Sequence, residues 1–348
     1  MYKVIQWATG SMGRTALRRI IDDPALELVG VHVYSADKAG TDAGVIARRP
    51  PIGIIATRDI EETLATPADV VMHTPRITLP YQAMADDVVR LLESGKNVVS
   101  TAGFHWPQAQ SAEFAERLHA AALKGGVTLA GVGVSPGLVV ERLVLSITAL
   151  CVNIDRINVS ETVDASAMTS PEFVFGLMGM GSDPKVSDIR EGPLAELYSA
   201  LFSEVFHFAA HAMGAKVRGV TPDHQLTLAP REIVLPAGTI APGRVAATCW
   251  RWTACFDNGV DFTLSILWTA DPTLHGDDAT GHWVIDIKGR PDVRLTLDIH
   301  ESDPAAPPSR ALTDARMAVA LRAIPDVVAA PPGLFAYHPP AAWRKSGA

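Results

Sequence analysis

The stretch that decides the fold of the first half is Lys3 to Arg14, which reads K-V-I-Q-W-A-T-G-S-M-G-R. An apolar run over Lys3–Ala8 predicts a β-strand, and apolar residues then recur with helical spacing over residues 16–21. Pro24 ends that helix because proline cannot continue one. A second apolar strand follows over Leu26–Tyr34. The chain therefore opens as strand, glycine turn, helix and strand.

The turn A-T-G-S-M-G matches the pattern G-x-G-x-x-G, with Ala8 in the place of the first glycine. At Gly10 the backbone can approach a pyrophosphate, and Gly13 allows the helix to pack closely on the strand. The helix N-terminus then presents free N–H groups and a positive dipole end to phosphates. This context predicts dinucleotide binding; the alternative is a tight turn with only a structural use.

The tip of the second strand determines which dinucleotide is favoured, because an acidic residue there would bind the ribose hydroxyls of NAD. The sequence at this point is Tyr34-Ser35-Ala36-Asp37-Lys38, in which Asp37 comes one or two positions late. Ser35 and Lys38, together with Arg14, are suited to a 2′-phosphate. We therefore expect NADP as the cofactor, with NAD as the alternative.

The alternation of strands and helices continues to about residue 132. Strands are predicted over residues 69–74, 97–101 and 127–132, and helices over Leu79–Glu93 and Glu113–Lys124. This rhythm predicts a doubly wound parallel sheet of the Rossmann type. Ligands of such sheets lie beyond the carboxyl ends of the strands. The further cofactor contacts expected there are Thr74, Pro75, Thr101, Ala102, Gly103, Ser135 and Pro136.

After about residue 150 the pattern changes to successive strands. These are predicted over residues 155–164, 227–235, 245–256, 260–269, 283–287 and 293–299. Asp257-Asn258-Gly259 is a hairpin signal. We expect a second α+β domain with an open, mainly antiparallel sheet. The predicted division is a dinucleotide domain over residues 1–135, completed by 305–348, and a substrate and dimerisation domain over 136–304.

Two further motifs lack residues that a catalytic or metal site would require. Gly133–Gly137 matches the nucleophile elbow G-x-S-x-G, but Pro136 lacks the N–H that the oxyanion hole requires. His207 and His211 share a helix face without a zincin glutamate or a further ligand, so no metal site is expected.

Composition narrows the class of protein. Lys and Arg total 30 against 38 Asp and Glu, a net charge of −8, which disfavours a nucleic-acid binder. Three cysteines make no disulfide framework, and Met1–Ile5 is too short an apolar segment for a secretory signal. The apolar window Val127–Leu150 is interrupted by Pro136 and carries two charges. We expect a cytoplasmic protein without a membrane span.

Several segments together resemble a known family. V-I-Q-W-A-T-G-S-M-G-R and E-S-G-K-N-V-V-S-T (93–101) are similar to the dihydrodipicolinate reductase-like superfamily. S-P-E-F-V-F-G-L-M-G-M-G (170–181) and A-I-P-D-V-V-A-A-P-P-G (323–333) most resemble NAD(P)-dependent amine dehydrogenases related to 2,4-diaminopentanoate dehydrogenase. The resemblance implies a homodimer and hydride transfer between NAD(P)H and a C=N carbon, which forms an amine from a ketone and ammonia. It assigns cofactor contacts to Thr9, Gly10, Ser11, Met12 and Gly13, with Ser35 and Lys38 at the ribose.

The sequence departs from the family pattern in two places. Gly133–Gly137 lacks the histidine and lysine of true dihydrodipicolinate reductases, which makes their reaction a poor fit. Thr101–Pro107 lacks the glutamate that the resemblance implies for activating ammonia. Two alternatives therefore stay open: an NADPH-dependent carbonyl reductase, and a non-catalytic NADP-binding sensor or subunit.

The substrate is expected to be a small ketone, imine or amine. His105 is the predicted proton donor, because imidazole titrates near neutral pH and the loop after a strand is the right place. Its alternative is an ordinary packed histidine beside Trp106. Glu161 is a second candidate acid. The residues expected to line a substrate pocket are Phe104, Trp106, Phe173 and Met178.

Overall fold

The computed structural model describes residues 1–78, 80–276 and 282–345. Within them the chain divides into two compact units. Unit 1 comprises Met1–Leu138 and Thr313–Tyr337, and unit 2 comprises Val139–Leu312 and the described residues from His338 onward. The end of the chain is divided because Trp343 donates hydrogen bonds to Thr148 Oγ1 and the Val152 carbonyl within unit 2.

Unit 1 is built on a parallel sheet of seven strands. The strands are β1 (Tyr2–Trp7), β2 (Leu26–His32), β3 (Ala56–Thr57), β4 (Val70–His73), β5 (Asn97–Ser100), β6 (Thr128–Gly131) and β16 (Gly333–Phe335), in the order β16-β6-β5-β4-β1-β2-β3. From β1 the chain adds β2 and β3 toward one edge of the sheet, and from β4 it adds β5, β6 and β16 toward the other edge. The predicted Rossmann-type sheet is confirmed, and its crevice opens between β1 and β4.

Helices cover both faces of this sheet. They are α1 (Ser11–Asp22), α2 (Ala43–Ile46), α3 (Ile60–Ala65), α4 (Ala85–Glu93), α5 (Ala112–Gly125), α8 (Ser309–Arg322) and α9 (Ile324–Ala329). Val4 and Val99 pack with residues of α1, α8 and α9 on one face. Ile5 and Val98 are buried on the other face, where α4 and α5 lie against β5 and β6. The alternation buries the central strands on both sides.

The expected helix over Leu79–Glu93 begins later than predicted. The α-helix starts at Ala85, after a 3₁₀ turn over Tyr81–Met84 that follows Pro80. Proline has no N–H for a helix interior, so the apolar spacing before it does not extend the α-helix. Leu79 itself lies outside the described residues.

Unit 2 holds a second, mainly antiparallel sheet, as predicted. Its strands are β7 (Asn153–Asp164), β8 (Val217–Pro222), β9 (Gln225–Leu228), β12 (Val245–Phe256), β13 (Asp261–Thr269), β14 (Trp283–Arg290) and β15 (Val293–Leu297), and β7 with β13 is the parallel pair. The order is β15-β14-β7-β13-β12-β8, with β9 also on β12. The helices are α6 (Val144–Ile147) and α7 (Pro193–Ala212). Phe202 and Phe206 of α7 meet Trp252 and Phe262 of the sheet.

One predicted strand of unit 2 was wrong. The run over residues 227–235 divides into β9, which ends at Leu228, and β10 (Ile233–Leu235). Pro230 stands between them and cannot donate to a strand ladder, so the chain turns there. The second piece pairs with β11 (Gly238–Ile240) in a separate two-stranded sheet.

Candidate functional site

The glycine turn after β1 has the geometry that a dinucleotide fingerprint requires. Ala8, in the first glycine's place, adopts the left-handed conformation with φ of 69°. A Cβ on Gly13 would overlap the Ala8 carbonyl and lie 2.7 Å from Thr74 Oγ1, so only glycine fits. A Cβ on Gly10 would meet no described protein atom within 4 Å. Gly13 therefore serves close packing, and Gly10 leaves the approach to the turn open.

The N-terminus of α1 has no side-chain cap at Gly10 and no acidic residue in its first turn. The first intrahelical bond runs from Arg14 N to Gly10 O, at 2.9 Å. The N–H groups of Ser11, Met12 and Gly13 therefore lack intrahelical partners, and they stand at the positive end of the helix dipole. The predicted residues of the turn lie together here, and a pyrophosphate suits them.

A buried amide that sequence reasoning missed holds this turn to the neighbouring strand. Gln6 Nε2 donates to the Ala8 carbonyl at 2.8 Å and to Thr74 Oγ1 at 2.8 Å. Thr74 Oγ1 in turn donates to the Trp7 carbonyl at 3.0 Å. The only sequence signal was a polar residue inside an apolar strand. These bonds tie the end of β1 to the end of β4 and so define the crevice.

The tip of β2 brings positive charge to the glycine turn. Lys38 Nζ donates to the Thr9 carbonyl at 2.9 Å, so these two predicted residues meet. Ser35 Oγ donates to the Asp37 carboxylate beside it. Arg14 and Arg18 are one helical turn apart on α1. Burial is the main cause that lowers the pKa of Arg18, and the positive charges of Arg49, Arg14 and Arg48 lower it further. Arg14, Arg18 and Arg48 form no ion pair among the described residues.

Two histidines at the carboxyl ends of strands are buried. His73, which ends β4, is 1% exposed, and burial lowers its pKa to about 3. Its Nδ1 lies 2.9 Å from Ser100 Oγ, which also accepts a hydrogen bond from Ala102 N. His32, which ends β2, stacks on Trp7 with 3.9 Å between ring centroids, and burial lowers its pKa too. Neither histidine supplies positive charge at neutral pH.

The loops that follow β5 and β6 meet at His105. This side chain is 5% exposed, and a Cβ on Gly137 would lie 3.4 Å from its Cε1. The predicted proton donor thus packs against the turn Gly133–Gly137, which contains Ser135 and Pro136. Ser135 Oγ is buried and has no hydrogen-bond partner among the described residues.

The remaining predicted residues are divided between the units. Phe104 is 1% exposed, and its ring stacks on Phe114 at 6.2 Å, so the side chain lies in the core of unit 1. Trp106 is half-buried in the same loop. Thr101 and Ala102 follow β5, and Pro75 follows Thr74, as expected.

Three predicted residues belong to unit 2. Glu161 is 4% exposed on β7, where it pairs with Ile266 and Trp283. Met178 is fully buried in a core with Val174, whereas Phe173 is 36% exposed.

Comparison with known proteins agrees with this geometry. Residues 138–339, more than half of the chain, match the family described as the 2,4-diaminopentanoate dehydrogenase C-terminal domain. The chain belongs to the 2,4-diaminopentanoate dehydrogenase family. Residues 4–126 match the family described as dihydrodipicolinate reductase, N-terminus. The predicted resemblance to this superfamily is confirmed. The prediction of an NAD(P)-dependent dehydrogenase is confirmed for the family as a whole.

Individual relatives of this family member are similar over different lengths. An amine dehydrogenase of Streptomyces virginiae is 37% identical over 185 residues, which are 52% of this chain and about half (51%) of that relative. A 2,4-diaminopentanoate dehydrogenase of Acetoanaerobium sticklandii is 26% identical over 344 residues, 95% of this chain and 91% of the relative. The solved amine dehydrogenase of Mycobacterium smegmatis shares the fold, with a TM-score of 0.76 and 20% identity over 96% of this chain and 94% of that one.

The described residues contain neither a membrane-spanning helix nor a metal-binding cluster. No helix there has both the length and the apolar character needed to cross a membrane. No group of three or more His, Cys, Asp or Glu side chains there is placed to hold a metal ion.

Proposed function

We propose that this protein is an NAD(P)H-dependent oxidoreductase that reduces the C=N bond formed from a ketone and ammonia, giving an amine. The observation that carries the proposal is similarity along 95% of the chain to a 2,4-diaminopentanoate dehydrogenase. The partial match to an amine dehydrogenase supports the same chemistry. Its small-molecule substrate is a ketone, imine or amine. A homodimer and a cytoplasmic location stay predictions from the sequence.

The residues of unit 1 fit a nicotinamide dinucleotide. The open N-terminus of α1 would hold the pyrophosphate, and the empty space at Gly10 lets the phosphates approach the backbone. Gln6 and Thr74 keep the turn in place. The bound cofactor supplies the hydride, while the protein supplies position and proton chemistry.

NADP is the proposed form of the cofactor. Lys38 lies at the glycine turn, and Arg14, Arg18 and Arg48 supply further positive charge without ion-pair partners among the described residues. One residue favours NAD instead: Asp37 is exposed, and its carboxylate would suit the ribose hydroxyls of NAD. Lys38→Met should therefore lower kcat/KM for NADPH by about tenfold and that for NADH much less. Equal losses for both cofactors would contradict the preference.

His105 is the proposed proton donor. It lies in the loop after β5, at the carboxyl edge of the sheet where ligands bind, and its ring packs on the turn after β6. We expect His105→Gln to lower kcat by about a hundredfold while the Kd for NADPH changes little. The kcat–pH profile should also lose one limb. A variant with the wild-type kcat and profile would remove His105 from the mechanism.

The experiment that tests the function follows NADPH absorbance with a panel of small ketones, with and without ammonium. Oxidation that requires ammonium is the expected result. Oxidation by ketone alone would identify the second candidate, a carbonyl reductase. That candidate is favoured by one observation, the lack of a carboxylate in Thr101–Pro107. Binding of NADPH without oxidation would identify a sensor or subunit.

A further inference from the structure

Tyr34 is an aromatic side chain that is held at its polar end and exposed over its ring. It is the second residue after β2 and is 52% exposed. Its hydroxyl accepts a hydrogen bond from Trp7 Nε1 at 2.7 Å and donates to Asp87 Oδ2 at 3.3 Å. No other aromatic residue described in unit 1 reaches this exposure. Both hydrogen-bond partners of the hydroxyl are protein groups. The ring is therefore not exposed in order to bring the hydroxyl into contact with water.

The side chains beneath Tyr34 are closely packed. Trp7 and His32 are stacked and buried, and His32 Nδ1 lies 3.1 Å from Thr63 Oγ1. The Tyr34 ring stands nearly perpendicular to both, with interplanar angles of 78° and 86°. Burial raises the pKa of Tyr34 to about 12, so the phenol stays protonated. A flat molecule that stacked on this ring would have little side-chain motion to freeze.

The position of Tyr34 corresponds to the adenosine half of a dinucleotide. Val31 and Val33 of the same stretch point into the core with Leu17. By strand alternation His32 and Tyr34 point to the opposite side, where Asp87 of α4 receives the Tyr34 hydroxyl. The tip of β2 is where dinucleotide folds contact the ribose next to adenine. Tyr34 is thus the aromatic surface on the crevice side of the ribose position.

We propose that the exposed face of Tyr34 is the stacking surface for the adenine ring of the dinucleotide. The proposal rests on nicotinamide dinucleotide binding by unit 1, but it needs neither the ketone nor the ammonia chemistry. Every base has a π-face, so stacking tolerates both NAD and NADP. Tyr34 is a binding residue in this role and takes no part in the chemical step.

The test measures binding by calorimetry with two probes on the full chain. ADP-ribose carries the adenine, and nicotinamide mononucleotide lacks it. Tyr34→Ala should weaken ADP-ribose binding by about tenfold or more and leave the mononucleotide within about twofold. Tyr34→Phe keeps the ring and should stay within about threefold of the wild type for both probes. Ile55→Ala, which shortens a side chain of similar exposure (53%), is the matched control and should change neither.

Three outcomes would overturn the proposal. They are an unchanged ADP-ribose Kd in Tyr34→Ala, equal losses for both probes, and a loss in Tyr34→Phe as large as that in Tyr34→Ala. Tyr34→Leu keeps an apolar side chain without the π-face. It serves as the second variant should Tyr34→Ala fail to fold, and it should lose ADP-ribose affinity as well. A wild type that fails to bind ADP-ribose would overturn dinucleotide binding as well. Failure of the ammonium-dependent reaction alone would leave Tyr34 in its assigned role.

Discussion

Acid should destabilise unit 1 through His73. The histidine is 1% exposed, and its pKa falls from 6.5 to about 3 because the imidazolium would be buried. Between these values the unfolded chain binds a proton that the folded chain does not. The contribution of neutral His73 to stability is therefore complete above about pH 6.5 and is lost as the pH falls toward 3.

The size of the effect follows from the shift. Each unit of pH below the unfolded pKa costs about 1.4 kcal/mol, so the free energy of unfolding should fall by about 2 kcal/mol between pH 7 and pH 5. His32 adds to the loss in the same direction, because burial lowers its pKa as well. His73→Asn removes this titration and keeps a polar partner for Ser100 Oγ.

Urea unfolding followed by circular dichroism at pH 7, 6 and 5 measures the loss. Over this range the free energy of unfolding should fall by about 2 kcal/mol more in the wild type than in His73→Asn. Groups other than His73 titrate in both proteins, so their contribution cancels when the two are subtracted. Identical slopes for the wild type and His73→Asn would refute the assignment of a buried neutral imidazole.

Three further predictions concern the two glycines of the turn, Gln6 and Ser111 in unit 1. Gly13→Ala should cost about 1–3 kcal/mol of stability, because its Cβ would overlap the backbone. Gly10→Ala should keep the wild-type Tm and weaken NADPH binding. The reverse pattern would contradict the roles given to the two glycines. Gln6→Leu should lower the free energy of unfolding by about 1–3 kcal/mol, since it removes the buried amide that donates to the Ala8 carbonyl and to Thr74 Oγ1. An unchanged urea midpoint would show that these two bonds do not hold the turn. Ser111→Ala should lower the free energy of unfolding by about 1 kcal/mol, because Ser111 Oγ caps α5 by accepting a hydrogen bond from Phe114 N at 3.0 Å. Ser111→Asp should restore most of this stability, as measured by thermal unfolding.

The parts of the fold that follow from local patterns were predictable. The strand, glycine turn and helix around Gly10 are determined by neighbours in sequence, and so is the hairpin at Asn258-Gly259, where Gly259 takes a φ of 91°. The broken strand at Pro230 shows the opposite case. An apolar run suggested one strand, while the missing N–H of a single residue divided it.

The site was harder to predict because its supports join residues far apart in sequence. Gln6 acts through Thr74, and Tyr34 through Trp7 and Asp87, and no local spacing indicates such contacts. Phe104 is a predicted pocket residue, and the sequence gives no sign that its ring stacks beside Phe114. Which side chain of a loop turns inward depends on packing partners that a single sequence does not identify.

The most direct test of the proposed function is to trace the nitrogen of the product. The purified chain is incubated with NADPH, a ketone that it consumes, and isotopically labelled ammonium, and the products are analysed by mass spectrometry. Reductive amination predicts a labelled amine formed in equal amount to the NADPH oxidised. An alcohol without nitrogen, formed in that amount, would contradict C=N reduction and identify a carbonyl reductase.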